Sequence, residues 1–189
     1  MASQSMATQS VQPVSSGVPL PATEADAKWY AIRTRSRHEK VAARELDAYG
    51  IPVFLPLTYT VRQWSDRQTK VEMPLFPGYA FVRVNYLSDE RVRVLRATGV
   101  VSFVGPNAAS ASIPEEQIES IRTVLLRKLP VEQHPFLSVG QRVRVRSGSL
   151  SGVEGILVAV KGARTLVISV EPIQRSVCIK LDDYEVEAA

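Results

Sequence analysis

Residues 74–82, which read PLFPGYAFV, decide the fold of the first half of this chain. Two prolines and a glycine predict a rigid turn, and the residues after it predict a strand over 79–84. Side chains alternate across a strand, so Tyr79, Phe81 and Arg83 share one face and the small apolar residues between them share the other. We expect the apolar face to meet the core and the aromatic face to point outward. The alternative is that Phe81 packs beneath a flanking helix.

A helix is predicted ahead of this strand, over residues 37–49. Ser36 and Glu39 have the spacing of a capping box, in which each side chain satisfies an amide of the first turn. Gly50 is a typical residue for ending such a helix. The predicted core side carries Ala42, Leu46 and Tyr49, and a separate basic stripe at spacings of three and four carries Arg37, Lys40 and Arg44.

Further elements are predicted on both sides of the strand. Residues 28–32 are typical of a first strand, and residues 63–70 are typical of a hairpin tip. Residues 88–97 alternate like a strand, but Ser88 and the acidic residues after it favour a short helix. The other predicted elements are strands at 53–55, 59–61 and 100–104 and a helix at 114–128, with Ile118, Ile121 and Leu125 on its apolar side.

The two ends of the chain differ from this middle part. Residues 1–27 are rich in Ser, Gln, Thr, Ala and Pro, which predicts a disordered tail. Residues 129–137 contain two prolines and no hydrophobic period, which indicates a linker between domains. Beyond it, the strict alternation of 141–146 and regularly placed glycines predict short strands and a small closed β-barrel.

The composition excludes several classes of protein. The chain has 189 residues, of which 45% are hydrophobic, and a net charge of +4. No stretch approaches the roughly 20 apolar residues that a membrane span needs, and no secretory signal is recognisable. One cysteine and two histidines cannot form an internal disulfide and make a thiolate–imidazole metal site hard to build. We therefore expect a cytoplasmic protein without membrane contact, metal or cofactor.

The charge pattern favours a binding protein over an enzyme. Residues 28–70 carry nine Lys and Arg against four Asp and Glu. A local basic field attracts a polyanion at contact range, although the alternative is an ordinary solvated surface. Phosphate-binding glycine loops are absent from the sequence, and Gly148–Gly152 has Leu150 where a nucleophile elbow needs serine. We identify no catalytic residue.

Several motifs, taken in order, resemble the NusG family of transcription elongation factors over residues 28–187. They are Trp29-Tyr30, QWSDR at 63–67, PLFPGYAFV at 74–82, GVVSFVG at 99–105 and, for the family's KOW module, VGQRVRV at 139–145 followed by glycines at 148, 152 and 155. The QWSDR and PLFPGY forms are similar to the specialised, operon-dedicated branch that includes RfaH and the UpxY antiterminators.

The resemblance implies an α+β fold in two domains. Residues 28–128 would form an N-terminal domain with a mainly antiparallel sheet flanked by helices, and residues 138–189 would form a KOW β-barrel. In the family the first domain binds the clamp helices of the largest subunit of bacterial RNA polymerase and faces the non-template DNA strand, suppressing pausing or termination. The second domain recruits a small-subunit ribosomal protein or the termination factor Rho.

The same resemblance assigns residues to two surfaces. The polymerase-binding residues by motif position are Phe76, Pro77, Tyr79, Phe81 and Phe103. The nucleic-acid-binding residues are Arg33, Arg35, Arg37, Lys40 and Arg44.

Two other classes of function stay open on the sequence alone. An RNA-binding module, independent of polymerase, would stack bases on Tyr79 and Phe81. Substitution of both rings would then weaken RNA binding by the protein alone, whereas in a polymerase-binding factor it would abolish polymerase capture. An enzyme acting on nucleic acid or sugar would need an acid/base site, for which the sequence offers no constellation.

Overall fold

The computed structural model describes residues 27–63, 68–105, 111–160, 163–181 and 184–189. The predicted tail up to residue 26 and the tip of the predicted hairpin at 64–67 lie outside the described residues. Among the residues described, no helix combines the length and the apolar character that crossing a bilayer requires. The elements of the first half are β1 (Lys28–Thr34), α1 (Glu39–Ala48), β2 (Val53–Phe54), β3 (Leu57–Gln63), β4 (Gln68–Pro74), β5 (Tyr79–Val84), α2 (Glu90–Arg96), β6 (Val100–Phe103) and α3 (Glu115–Leu126).

Four strands form the N-terminal sheet in the order β2-β5-β1-β6, and each neighbouring pair is antiparallel. Within the central pair, Ala31 lies opposite Phe81 and Arg33 lies opposite Tyr79. Directly opposed residues project from the same face of a sheet. The strands predicted over 28–32, 79–84 and 100–104 are confirmed, with ends that differ by up to two residues.

Both faces of the N-terminal sheet are covered, and alternation alone did not reveal this. One face packs against α1 and α2, and its buried residues are Tyr30, Ile32, Ala80, Val82 and Val84 with Leu46 and Val94 from the helices. The other face packs against α3, and its buried residues are Trp29, Ala31 and Phe81 with Ile118, Ile121 and Val124 from the helix. The small residues of β5 therefore face a core as predicted, but Phe81 does too.

The predicted capping box at the start of α1 is wrong. The helix begins at Glu39, His38 occupies the N-cap without a side-chain capping bond, and Arg37 has a φ of 62°, which is not helical. The Glu39 carboxylate accepts a hydrogen bond from the Gly78 N–H at 2.8 Å instead of turning back on its own helix. Tyr49, predicted on the core side, lies one residue beyond the helix and is 39% exposed.

The other two helices follow the sequence more closely. The ambiguous segment 88–97 forms the short helix α2, where Ser88 Oγ accepts a hydrogen bond from the Glu90 N–H at 3.2 Å. The Glu90 carboxylate in turn accepts from the Asn85 N–H at 2.8 Å, which fixes the approach to the helix. α3 lies within the predicted range, with Pro114 at the N-cap rather than at the first helical position.

β3 and β4 form a two-stranded sheet that is separate from the N-terminal sheet. Their register runs from Leu57 opposite Pro74 to Gln63 opposite Gln68, which is the direct pairing that the predicted hairpin requires. We call this pair the hairpin arm. β3 is longer than the strand predicted over 59–61, and β4 was not predicted as a strand, because main-chain pairing extends through polar residues that carry no hydrophobic pattern.

From residue 132 onward, the residues that the structure describes form strands and short 3-10 turns but no α-helix. The strands are β7 (Glu132–His134), β8 (Gln141–Val145), β9 (Glu154–Val160), β10 (Ala163–Val170), β11 (Arg175–Lys180) and β12 (Val186–Ala188). They form one antiparallel sheet, the C-terminal sheet, in the order β12-β8-β9-β10-β11-β7. Among the described residues the pairing ends at β12 and β7, so closure into a barrel stays a prediction.

The segment predicted as a linker contributes a strand to the C-terminal sheet. β7 lies inside 129–137 and pairs with β11, where Gln133 is opposite Val177. The Gln133 side chain also donates from Nε2 to the Leu75 carbonyl at 3.2 Å. Three residues are too few to show an alternating pattern, so the sequence carried no signal for this edge strand.

Candidate docking and nucleic-acid surfaces

The turn before β5 is held in a fixed shape by the elements around it. Gly78 has a φ of 83°, a left-handed backbone that glycine adopts without a steric penalty. Its carbonyl accepts a hydrogen bond from the Thr34 N–H at 2.8 Å, and its N–H donates to Glu39 Oε1 at 2.8 Å. Pro77 is exposed and Tyr79 is half-buried. We call residues 77–79 the docking corner, because they present an apolar surface on a braced backbone.

Phe81 is fully buried, so the expectation that its ring points outward is wrong. The ring stacks on Phe54 at a centroid distance of 6.1 Å and meets Phe76, itself buried, edge-on at 5.9 Å. α3 lies over this face, and the Arg122 guanidinium is 5.1 Å from the centre of the Phe54 ring. The alternative stated from the sequence, that Phe81 packs beneath a helix, is confirmed. One of the two rings needed for RNA stacking is therefore inaccessible.

The predicted polymerase-binding residues do not form one surface. Phe103 packs edge-on against the rings of Tyr30 and Tyr86, at centroid distances of 6.1 and 5.2 Å. These residues belong to the core under α1 and α2, on the sheet face opposite to Tyr79 and Phe81. Phe103 therefore cannot extend the docking corner, because a strand residue reaches only the face to which its register assigns it.

The C-terminal sheet stands against the docking corner. A cavity of about 140 Å³ lies between them, with Phe76, Pro77 and Tyr79 on one side and His134 and Arg175 on the other. A partner that covered the Tyr79 ring from this side would meet β7 and the start of β11. The accessible part of the corner is therefore limited by the second half of the chain.

Apolar contacts and hydrogen bonds join the two halves. The buried residues of α3 and of the C-terminal sheet belong to one continuous cluster. The hydrogen bonds run from Gln133 Nε2 to the Leu75 carbonyl (3.2 Å), from Arg127 Nε to the Ser149 carbonyl (3.0 Å) and from the Glu154 N–H to Ser120 Oγ (3.4 Å). α3 thus packs on the N-terminal sheet and on the C-terminal sheet at once.

The basic stripe at the start of α1 is accessible, but its predicted helical spacing is wrong at Arg37, which precedes the helix and has a φ of 62°. Arg37 and Arg44 are exposed. Lys40 is half-buried, and its Nζ pairs with Glu72 Oε2 of the hairpin arm at 2.6 Å. Arg44 Nε donates to the Lys40 carbonyl at 3.2 Å, which leaves the rest of the guanidinium free to turn outward. The stripe therefore adjoins the hairpin arm through Lys40.

Arg33 lies within the first strand, whereas Arg35 follows its end. Arg33 is exposed on the face that carries Tyr79, its register partner, and so belongs beside the docking corner rather than with α1. Arg35 is exposed in the turn before α1, where its N–H donates to the Gly99 carbonyl at 2.7 Å. The five predicted nucleic-acid-binding residues are therefore divided between two surfaces, with Arg33 apart from the stripe.

Two of the three acidic side chains of α1 are engaged away from the stripe, and the third, Asp47, is exposed. Glu39 is buried and bonded to Gly78. Glu45 accepts hydrogen bonds from the Tyr49 hydroxyl at 2.6 Å and from the Thr98 N–H at 2.9 Å. These bonds, that of Tyr49 first, hold the pKa of the Glu45 carboxyl below its usual value. The charges on Arg37 and its neighbours are consequently not cancelled by these two carboxylates.

The described residues offer little for bond-making chemistry. Within them, no group of three His, Cys, Asp or Glu side chains is placed to hold a metal ion. Cys178 is half-buried in β11, and burial raises the pKa of its thiol, which disfavours the nucleophilic thiolate. Leu150, in the segment that superficially matched a nucleophile elbow, is fully buried in the core of the C-terminal sheet.

Replacing Glu39 by alanine is expected to destabilise the N-terminal domain. The Gly78 N–H would lose its acceptor in a part-buried position, which costs about 1–3 kcal/mol in the free energy of unfolding. Glu39→Gln keeps an oxygen acceptor at the same place and should lose much less. Urea unfolding checks this, as a fall in midpoint at constant slope. Equal losses in both variants would show that charge, and not the acceptor, matters.

The comparisons with known proteins agree on one family. Residues 27–122 match the family described as "Transcription termination factor nusG". The protein named "Transcription termination/antitermination protein NusG" from Lactococcus lactis is 28% identical over 176 residues, spanning 86% of this chain and 93% of that protein. Its namesake from Neisseria meningitidis is 26% identical over 176 residues, spanning 85% and 97%.

Among solved structures, one described as "Domain interaction in Thermotoga maritima NusG" covers 88% of this chain and 99% of its own, at 21% identity and a TM-score of 0.49. The family match takes in more than half of the chain. The chain therefore belongs to the NusG family of transcription termination and antitermination factors.

Proposed function

We propose that this protein is a transcription elongation and antitermination factor that docks on RNA polymerase through the docking corner. Its site on the enzyme is the pair of clamp helices in the largest subunit. The assignment of the docking site rests on one observation. Residues 77–79 present a proline and a tyrosine on a backbone that is held by hydrogen bonds to Thr34 and Glu39. A ring whose backbone is already ordered loses little conformational freedom on binding, so more of its contact energy becomes affinity.

Within this proposal the aromatic residues have distinct roles. Pro77 and Tyr79 contact the clamp helices, and the exposed Arg33 beside Tyr79 forms a charged rim. Phe76 and Phe81 support the corner from beneath, since both are buried. Phe103 is assigned no contact.

The basic stripe binds the non-template DNA strand in the same proposal. Arg44 reaches phosphates from the exposed side of α1, Arg37 does so from the turn before the helix, and Arg35 continues the surface toward Gly99. Lys40 joins them by exchanging Glu72 for a phosphate, because an exposed ion pair is worth only about 0–1 kcal/mol. Phosphate contacts of this kind carry no base sequence and weaken as salt rises.

The mechanism is a shift of populations without any bond being made or broken. Contact with the clamp and with DNA favours the closed, elongating state of the polymerase, and only a difference in affinity between the two states can do this. Pausing or termination becomes less frequent as a result. The C-terminal sheet recruits a small-subunit ribosomal protein or Rho as a further partner.

Docking on the clamp displaces the C-terminal sheet from the corner. His134 and Arg175 stand across a small cavity from Pro77 and Tyr79, so two clamp helices and this sheet compete for the same ring. Only molecules in which the two halves have separated bind polymerase. The apparent affinity is therefore lower than the intrinsic affinity in proportion to the fraction of separated molecules.

We further propose that the protein belongs to the specialised branch that includes RfaH and UpxY. This assignment rests on the QWSDR and PLFPGY forms of the sequence. An operon-dedicated factor would be encoded beside its target. A long polysaccharide operon immediately downstream of the gene would support the branch, and a housekeeping neighbourhood would count against it.

The Tyr79→Ala variant is expected to bind core RNA polymerase, free of nucleic acid, about 30-fold more weakly than the wild type. This corresponds to about 2 kcal/mol for the loss of an aromatic residue at the centre of an interface. Tyr49→Ala is the matched control, because Tyr49 is 39% exposed and lies beyond α1, away from the corner. Polymerase binding that is unchanged by Tyr79→Ala, or lowered equally by both variants, would refute the assigned docking site.

A further inference from the structure

The hairpin arm carries an aromatic ring that neither the fold nor the docking corner uses. Tyr59 is 65% exposed, and its register partner across the arm is Glu72. The arm pairs with neither of the other two sheets, so this ring does not belong to a covered sheet face. An aromatic side chain left in water on a paired strand costs stability that burial would have recovered. A ligand for the ring would explain its position.

Two lysine side chains belong to the face of the arm that carries the ring. Opposed residues share a face of an antiparallel pair, and residues two apart along a strand do as well. Tyr59, Glu72 and the exposed Lys70 therefore lie on one face of the arm. Lys40 reaches the same face from α1, since its Nζ is 2.6 Å from Glu72 Oε2 and 3.4 Å from the Glu72 carbonyl.

The surroundings of the ring favour nucleic acid over a protein partner. A protein-docking hot spot is a contiguous apolar patch with a polar rim. Around Tyr59 the exposed same-face neighbours are Glu72 and Lys70, with Lys40 paired to Glu72, whereas the apolar Leu57 and Pro74 on that face are half-buried. An exposed ring on a face with two ammonium groups matches single-stranded nucleic acid, in which a base stacks on the ring while neighbouring phosphates meet the cations.

We propose that Tyr59, with Lys40 and Lys70, forms a base-stacking site that continues the α1 stripe onto the hairpin arm and binds one nucleotide of a single strand. The site rests on the proposed function, because the stripe must bring the strand to the arm. Lys40 is the shared residue: it lies on α1 with Arg44, three residues after Arg37, and touches the arm through Glu72. Stacking is tolerant of base identity, so the site adds affinity without reading sequence.

The test measures binding of the full chain to two fluorescent single strands of about 12 nucleotides, oligothymidylate and an abasic backbone of equal length and charge. Tyr59→Ala should bind oligothymidylate about tenfold more weakly, the fold-change expected for one stacked base, and should bind the abasic strand like the wild type. Tyr59→Phe keeps the ring and should bind both strands normally. Tyr49→Ala is the matched exposed tyrosine and should change neither affinity.

Several results would overturn this site. They are an unchanged affinity of Tyr59→Ala for oligothymidylate, an equal loss on both strands, or a loss of binding to nucleic-acid-free polymerase, which would make the ring a protein contact. Failure of the proposed function looks different. If charge reversal on the α1 stripe leaves oligothymidylate binding unchanged, the assignment of the stripe as a DNA-binding surface is wrong. If charge reversal weakens binding but Tyr59→Ala does not, only the assignment of the stacking site is wrong.

Discussion

Oxidation of a Ser120→Cys/Glu154→Cys variant is expected to lower polymerase binding by about 100-fold, and reduction is expected to restore it. The Glu154 N–H lies 3.4 Å from Ser120 Oγ, so α3 and β9 are close enough at this point for a disulfide to join the two halves. The natural Cys178 is replaced by alanine in this background, because it is half-buried and could exchange with the new thiols. Binding is measured with core polymerase, with and without reductant.

The physical reason is competition for the docking corner. While the halves stay in contact, His134 and Arg175 stand across a small cavity from Pro77 and Tyr79, and we propose that they compete with the clamp helices for the Tyr79 ring. A covalent bond removes the open state, so the fraction of binding-competent molecules falls toward zero. The single-cysteine variants control for damage to the interface, since they cannot form the bond.

Loosening the same interface should have the opposite effect. Gln133→Ala and Arg127→Ala each remove a side-chain donor to a main-chain carbonyl of the other half. Each such bond is worth about 0.5–1.5 kcal/mol, so the double variant should bind polymerase about tenfold more tightly if the open state is rare. Full polymerase binding by the oxidised disulfide variant would contradict the proposed competition between the C-terminal sheet and the clamp helices. It would not bear on whether polymerase docks at Tyr79, which the Tyr79→Ala variant tests separately.

Charge reversal at Arg37, Lys40 and Arg44 is expected to weaken binding to single-stranded DNA by about 100-fold at low salt. Each phosphate contact contributes about 0.7 to the slope of log affinity against log salt, so the slope should also fall by about 2. In a transcription assay with a defined terminator, the same variant should lose readthrough. Circular dichroism checks that α1 remains folded.

A matched control separates the local stripe from the total charge. Reversal of Arg142, Arg164 and Lys180, which are exposed on the C-terminal sheet, changes the net charge by the same amount. This control should retain nearly all of the DNA affinity. Equal losses in the two triple variants would mean that the whole protein's charge attracts DNA, and that α1 has no special part.

The sequence pattern predicted most of the helices and strands, but it predicted few of the contacts that these elements make with distant segments. The segments β5, β6, α2 and α3 were all predicted, because each has a periodicity or an end signal of its own. The capping box failed for the opposite reason. Glu39 has a sequence-local partner in the predicted box and a distant one in Gly78, and the distant amide is the one that it accepts from.

Strand β7 and the exposure of Tyr59 were not anticipated either. A three-residue edge strand exists only because β11 offers unpaired main-chain groups beside it, and nothing in residues 132–134 themselves indicates this. Tyrosine has a high β-propensity, so Tyr59 in the sequence indicates a strand but not whether its side chain is exposed. Its exposure follows from the separation of the hairpin arm from both larger sheets, which is a property of the assembled chain.

By itself the sequence determined the strand after the Pro-Gly turn, the division of its side chains between two faces and the excess of positive charge over residues 28–70. These are local properties, set by the backbone limits of proline and glycine and by the periods of strand and helix. Only the tertiary structure decided that α3 covers Phe81, that Phe103 lies on the other face and that the C-terminal sheet stands over Tyr79. Burial depends on which distant segment packs on a face, and alternation along one strand contains no information about that segment.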